Sequence, residues 1–152
     1  MQIDLTGRVA VVTGATGQLG RTMARSLAEC GADVAVHYHS NQAKADEIIR
    51  DIQAMGRRAI AVAADITQEL PVYAMRDRVY AELGTADIIV NNAVSQYGWT
   101  SVLEQKIEDY DGQYETCVRH NVLMAKAFVP AMQEKKYGRV IGINTECAMQ
   151  AA

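Results

Sequence analysis

Residues 13–20 read TGATGQLG, directly after the apolar run RVAVV and at the start of a stretch with helical period. Gly14, Gly17 and Gly20 recur at intervals of three, where a strand gives way to a helix. Each absence of a Cβ has a use there. Gly14 lets the chain turn sharply off the strand, Gly17 lets backbone approach an anion closely, and Gly20 lets the helix pack tightly on the sheet. The backbone N–H groups over Thr16, Gly17, Gln18 and Leu19 stand at the positive end of the helix dipole, before the intrahelical ladder begins. They form a ready seat for a diphosphate. Little else in the chain has the spacing of a reaction site. Cys30, Cys117 and Cys147 are far apart, with no C-x-x-C, and His37, His39 and His120 lack metal-ligand spacing, so no metal site is expected. The thiols read as buried or incidental in a reducing compartment.

The elements that must position the loop follow from alternation. RVAVVT (8–13), DVAVHY (33–38), RAIAVAAD (58–65), DIIVNNA (87–93) and GRVIGIN (138–144) are short, apolar and β-rich. Between them the period is helical. Leu19, Met23 and Leu27 repeat every four residues and predict the inner face of the first helix, which Gly31 ends. The second helix is predicted over 41–56 with Ala45, Ile48, Ile49, Ile52 and Met55 inward. The third runs over about 69–83 on Val72, Met75, Val79 and Leu83, with Pro71 tolerated in its first turn. After the looser VSQYGWTS and a short helical segment near 103–110, the longest helix is predicted over 111–135. Tyr114, Cys117, Asn121, Met124, Phe128 and Met132 share one side of it, and Pro130 bends it or marks its last turns.

Near-continuous apolar strands separated by helices predict a parallel sheet covered on both faces. The fold class is α/β, a doubly wound Rossmann-like sheet over residues 1–152 in one domain, with right-handed crossovers and a ligand at the carboxyl ends of the strands. The glycine loop then stands in the context that dinucleotide binding requires. Composition narrows the partners. With 152 residues, 49% hydrophobic, 22% charged and a net charge of −3, the chain reads as one globular domain. Its densest basic stretch is only EKKYGR (134–139), so nucleic acid is not an expected partner. No apolar run approaches the roughly 18 residues of a membrane span, and the N-terminus is not built like a signal peptide. A cytoplasmic protein without a membrane partner is expected.

The glycine loop after the first strand, ADIT (64–67) after the third, NNA (91–93) after the fourth, Asn121 in the long helix and GRVIGIN leading into Thr145 occur in one order along the chain. In this the sequence resembles the short-chain dehydrogenase/reductase family, and within it the 3-oxoacyl-acyl-carrier-protein-reductase-like branch. Two positions depart from the pattern. Gln18 occupies the slot of the second glycine in TGxxxGxG, giving a spacing more typical of the family's larger, epimerase-like branch, and Val94 stands where a glycine usually follows NNA.

The resemblance implies a nicotinamide dinucleotide. Gly14, Thr16, Gly17, Gln18, Leu19 and Gly20 would border its diphosphate, Asp65 and Ile66 its adenine, and Asn92 and Ala93 its ribose and nicotinamide side. Asn92 has a second reading, as a tie between neighbouring strands. At the end of the second strand an acid would select NAD; here Tyr38 takes that slot, followed by His39, Ser40 and Asn41, so NADP is expected over NAD. An ordinary polar turn capping the next helix also accounts for Ser40 and Asn41. The resemblance further implies a Tyr general acid/base, a Lys four residues later, a hydroxyl that polarises a carbonyl and an Asn that orders a water. Asn121 matches the Asn, or else serves as a staple between helix and strand. Thr145 falls in the hydroxyl's slot, with Glu146 and Cys147 beside it. None of the seven Tyr (38, 73, 80, 97, 110, 114, 137) has Lys four residues on, and in the family that pair falls beyond Ala152. The expectation is an NADP(H)-dependent oxidoreductase acting on a small-molecule carbonyl or alcohol. The present chain would be its N-terminal part, truncated after the fifth strand and inactive alone. A non-catalytic dinucleotide-binding module and a nucleotide-sugar epimerase/dehydratase-like protein are the alternatives. Assembly through the long helix allows a homo-oligomer.

Overall fold

The computed structural model describes residues 3–98 and 100–144. Its elements run β1 (Val9–Val12), α1 (Gln18–Glu29), β2 (Asp33–Tyr38), α2 (Gln42–Ala54), β3 (Ala59–Ala63), α3 (Glu69–Glu82), β4 (Ile88–Asn91), α4 (Ile107–Tyr114), a π turn (Glu115–Arg119), α5 (His120–Glu134) and β5 (Arg139–Gly142). The five strands form one sheet in the order β3-β2-β1-β4-β5, every pairing parallel. This is the doubly wound α/β arrangement that the alternation predicts.

The period of two along each strand divides the core between the two faces. Ala10, Val12, Val34, Val36, Ile88 and Val90 meet Ala24, Ala28, Ala45, Ile48 and Ile52 of α1 and α2. On the other face Val9, Val11, Ala35, Val62 and Ile89 meet Val72, Met75 and Val79 of α3 and Met124, Phe128 and Met132 of α5. Tyr80 and Phe128 pack edge to face there, 5.9 Å between ring centroids.

Three predicted helix faces shift. Leu19 is 62% exposed, and α1 instead buries Gly20, Ala24 and Ala28, with Met23 and Leu27 at the margin of the core. Small residues bring this helix close to the sheet, and Leu19 in its first turn is left beyond the sheet's carboxyl edge. Met55 falls past the end of α2 as its C-cap and is largely outside the core. The long helix starts at Ile107 and absorbs the predicted short segment before being interrupted by the π turn. A π turn inserts one extra residue into the helical path and rotates the inward face. Tyr114 and Cys117 therefore point outward, whereas Thr116 and His120 are buried in their place.

Charged clips hold the amino edge of the sheet. Asp33 accepts from Arg58 (2.8 Å) and Arg57 (3.1 Å), and Asp87 accepts from the Val9 N–H (3.0 Å), Lys135 (3.1 Å) and Arg8 (3.4 Å). Toward the carboxyl edge the ion pair of Lys126 with Glu69 (2.9 Å) joins α5 to the start of α3, and the site lies at that edge.

Candidate functional site

A cleft of about 940 Å³ opens at the carboxyl ends of the strands, where the chain leaving β1 has β2 on one side and β4 on the other. Gly14, Thr16, Gly17, Gln18, Leu19 and Gly20 form one wall; His39, Asp65 and Ile66 form a second, and Asn92 and Ala93 a third. Gly14 has φ +61°, and a Cβ on it would lie 2.9 Å from Ala93 Cα, so both conformation and space require glycine. Gly17 is the N-cap of α1. Its N–H donates to the Gly14 carbonyl (3.0 Å), and its own carbonyl accepts the Arg21 N–H (3.0 Å) as the helical ladder begins. The N–H groups of Gln18, Leu19 and Gly20 precede that ladder. No acidic residue and no side-chain cap stand in this first turn, so the positive end of the helix dipole is left for an incoming anion.

Gly20 packs tightly, but on the loop rather than on the face of the sheet. A Cβ there would sit 2.3 Å from the Gly14 carbonyl oxygen and 2.8 Å from Asn92 Nδ2. Asn92 Nδ2 donates to the carbonyls of Thr13 (3.0 Å) and Gly14 (3.2 Å). The buried Thr13 Oγ1 accepts the N–H groups of Asn92 (2.9 Å) and Ala93 (3.1 Å) and donates to the Val90 carbonyl (3.3 Å). Asn92 thus ties the β1 and β4 loops together and also lines the cleft.

Sequence reasoning passed over Thr13 and His37. His37 is 1% exposed; its Nδ1 accepts the Gly14 N–H and its Nε2 meets the Ala64 carbonyl, each at 3.0 Å. A carbonyl only accepts, so Nε2 carries the proton and the ring is neutral. Burial pushes its pKa down to about 4. The available signal was a histidine inside the apolar strand DVAVHY, where a polar ring needs partners on both nitrogens.

At the end of β2, His39 reaches the cleft, whereas Tyr38 packs against the apolar layer beneath α1 and α2, and the exposed Ser40 is not on the cleft wall. Asn41 caps α2 by accepting the Lys44 N–H (3.1 Å). Across the cleft, the Asp65 carboxylate accepts the Thr67 hydroxyl (2.7 Å) and N–H (2.9 Å), and these bonds, the hydroxyl's first, hold its pKa below the usual carboxylate value.

A second cavity of about 450 Å³ adjoins the cleft and shares Leu19, Asn92, Ala93 and Thr116 with it. Asn121 lines it, half-buried rather than at the centre of an apolar face. Its Oδ1 accepts Asn91 Nδ2 and its Nδ2 donates to the Cys117 carbonyl, both at 2.7 Å. It therefore does staple helix to strand, while its flank remains on the cavity. Thr116 fastens the loop after β4 to the π turn: its Oγ1 accepts the Ser95 N–H (3.1 Å) and donates to the Gly112 carbonyl (2.7 Å). Thr145, Glu146 and Cys147 lie outside the described residues. Among the described residues no group of three His, Cys, Asp or Glu is placed to hold a metal ion, and no helix is long and apolar enough to cross a membrane.

Comparison with known proteins places this geometry. Residues 8–151 match the sequence profile described as short chain dehydrogenase. The 2-dehydro-3-deoxy-D-gluconate 5-dehydrogenase of Formosa agariphila is 32% identical over 148 residues, 97% of this chain and 54% of that protein. A metagenomic short-chain oxidoreductase solved in complex with NADP superposes with a TM-score of 0.88 at 30% identity, covering 97% of this chain and 66% of its own. A 7α-hydroxysteroid dehydrogenase, solved with NADH and 7-oxo glycochenodeoxycholic acid, superposes at 0.91 with 29% identity, over 99% of this chain and 58% of its own. The chain thus spans little more than half the length of the curated relative it matches.

Proposed function

The chain belongs to the short-chain dehydrogenase family, and from that premise we propose that it is the NADP(H)-binding part of an oxidoreductase acting on a small-molecule carbonyl or alcohol. The observation that carries this reading is the uncapped, acid-free start of α1 opening into the large cleft above β1. The N–H groups of Gln18, Leu19 and Gly20 hold the diphosphate, with no Cβ at Gly14 or Gly17 to intervene. Asp65 and Ile66 border the adenine, and Asn92 and Ala93 the ribose and nicotinamide side. When bound, the nicotinamide supplies or accepts a hydride.

The cofactor choice rests on charge. Residues 38–41 contain no carboxylate to repel a 2′-phosphate, and His39 stands on the cleft wall with Ser40 beside it in sequence. NADP over NAD follows, in line with the NADP bound to one similar structure and despite the NADH bound to another. In the adjoining cavity Asn121 orders a water, and Thr145, by its place in the sequence alone, supplies the hydroxyl for a carbonyl oxygen. The acid/base pair of Tyr with Lys four residues later is absent from these 152 residues, so the chain by itself performs no turnover. The free thiols of Cys30 and Cys117 suit a reducing cytoplasmic compartment, and the whole protein is proposed to form a homo-oligomer.

Titration with NADPH, followed by nicotinamide fluorescence, tests the reading. A saturable change is expected, tighter for NADPH than for NADH; no change at saturating chain with a folded far-UV spectrum overturns it. An NADPH-oxidation assay over a carbonyl panel should stay flat. Turnover would refute the assignment of the acid/base. A flat assay with tight binding also fits a non-catalytic module, and a Tyr-x-x-x-Lys encoded beyond codon 152 decides for the reductase.

A further inference from the structure

His37 sits where the ends of three strands meet: on β2, beneath the turn that follows β1, and beside the residue that follows β3. Its two bonds run to backbone groups of opposite kind. The Gly14 N–H only donates and the Ala64 carbonyl only accepts, so both form together only with a bare Nδ1 and a protonated Nε2. Gly14 is the residue whose left-handed backbone starts the diphosphate loop, and Ala64 precedes Asp65 and Ile66 on the adenine wall. One rigid ring therefore spans the two halves of the cleft.

We propose that His37 is a positioning residue for the dinucleotide: its imidazole, held between Gly14 N–H and Ala64 C=O, sets the separation of the diphosphate seat from the adenine seat. This rests on the dinucleotide reading above. The glycine spacing does not call for a histidine here, and an apolar residue would fill the strand as well while leaving a buried amide and carbonyl unpaired. The titratable groups facing the ring are His120 from α5, His39 from the end of its own strand and Asp65 from the turn after β3. Burial keeps the ring neutral down to about pH 4, so the relay is intact throughout the physiological range.

The test compares the wild-type 152-residue chain with H37N and H37L in NADPH titrations at neutral pH, with far-UV circular dichroism confirming the fold of each. Asn places Oδ1 near the position of Nδ1 and still accepts the Gly14 N–H; Leu accepts nothing. H37N is expected within about threefold of wild type, because the bond to the turn after β1 survives, and H37L weaker by roughly tenfold, because the Gly14 N–H and the Ala64 carbonyl both lose their partner. In the ring ¹⁵N spectrum of the wild type, Nδ1 should be bare and Nε2 protonated, with and without NADPH. H37Q moves the carboxamide one bond further out, toward Ala64, and replaces H37L if that variant does not fold; it too should bind roughly tenfold more weakly. H37L or H37Q binding as wild type, H37N losing as much as H37L, or a protonated Nδ1 each overturn the proposal while NADPH binding stands. Wild-type chain that is folded but binds no NADPH overturns the functional reading and the proposal together.

Discussion

Replacing Gly20 by Ala sets two known effects against each other. In an exposed helix Ala is favoured over Gly by about 1 kcal/mol, so propensity alone makes G20A stabilising. The structure reverses the sign. The new Cβ lies 2.3 Å from the Gly14 carbonyl oxygen, about 1 Å inside ordinary contact, with Ala15 Cα and Asn92 Nδ2 each at 2.8 Å. The carbonyl has little freedom to retreat, since it accepts from the Gly17 N–H (3.0 Å) and from Asn92 (3.2 Å). Overpacking of this kind costs about 1–3 kcal/mol, and displacing Asn92 adds about 1 kcal/mol for the hydrogen bond. After the propensity gain the net loss is about 1–3 kcal/mol, or roughly 3–10 °C in Tm for a chain of this size. The measurement is thermal unfolding by circular dichroism, paired with NADPH titration, and G17A is the control. There the Cβ meets the Gly14 oxygen at 3.3 Å, a tight contact asking a shift of a few tenths of an ångström rather than about 1 Å, so Tm should fall by much less than in G20A, while affinity falls because on the proposed reading the methyl is added at the N-cap beside the diphosphate. G20A should lose both Tm and affinity. A G20A chain that melts at or above wild type with unchanged affinity would refute the reasoning.

Thr13→Val keeps the shape but strips the acceptor from the N–H groups of Asn92 and Ala93; a loss of about 2–3 kcal/mol in urea unfolding is expected, with Thr13→Ser near wild type. His37 is neutral in the folded chain down to about pH 4, whereas in the unfolded chain it titrates near the ordinary histidine value of 6.5. Its contribution is thus complete above pH 6.5 and is lost as pH falls toward 4, up to about 3 kcal/mol, and a pH series of unfolding free energies should show that component vanish in H37N. Asp87→Ala removes the shared partner of the Val9 N–H, Lys135 and Arg8; about 2 kcal/mol should be lost from the denaturant-derived stability, with dinucleotide affinity within twofold because the clip lies at the opposite edge of the sheet. His39→Asp brings a carboxylate to the cleft wall at the end of β2, and the NADPH:NADH affinity ratio should fall by roughly tenfold.

Strand positions and helix placement were legible because this architecture writes them redundantly: doubly buried strands are continuous apolar runs, and helix ends carry glycine, as at Gly31 and Gly56, whose φ values are +102° and +77°. Helix faces were legible only where the helix is regular. Val72, Met75, Val79 and Leu83 stand as their spacing predicts, but the inward stripe of the long helix was misplaced before Leu123. Nothing in ETCVR announces a π turn, which arises from what the segment must reach, here Ser95 and Asn91 across the loop after β4. Leu19 was misplaced for a different reason. Periodicity ranks side chains by hydrophobicity, whereas α1 needs closeness to the sheet and takes Gly20, Ala24 and Ala28 for it. The sharp turn at Gly14 was legible from the glycines together with the strand before them and the helix after them. Of its anchors, Asn92 was legible as a tie between strands, whereas Thr13 and His37 were not, because they act through hydrogen bonds to backbone atoms that sequence distance hides.

Those anchors hold the glycine loop from several sides. Gly14 is held on each of its polar atoms: its N–H by His37 from β2, its carbonyl by Asn92 from the β4 loop and by Gly17 from the start of α1. A residue with positive φ, fixed from β2, the β4 loop and the start of α1, has little backbone freedom left to lose, so on the proposed reading little ordering entropy would oppose a diphosphate there. The loop also acts as one unit, because a Cβ added at Gly20 would press on the carbonyl that Asn92 holds and on Asn92 Nδ2 itself, while Thr13 holds the Asn92 N–H. Removing two of its anchors together should therefore cost less than the sum of the separate losses. A T13V/G20A double variant compared with its single variants in unfolding free energy measures that coupling, with a shortfall of 0.5 kcal/mol or more expected for contacting sites. Strict additivity would mean that Thr13 and Gly20 brace the loop independently and that Gly14 is not the point through which they act.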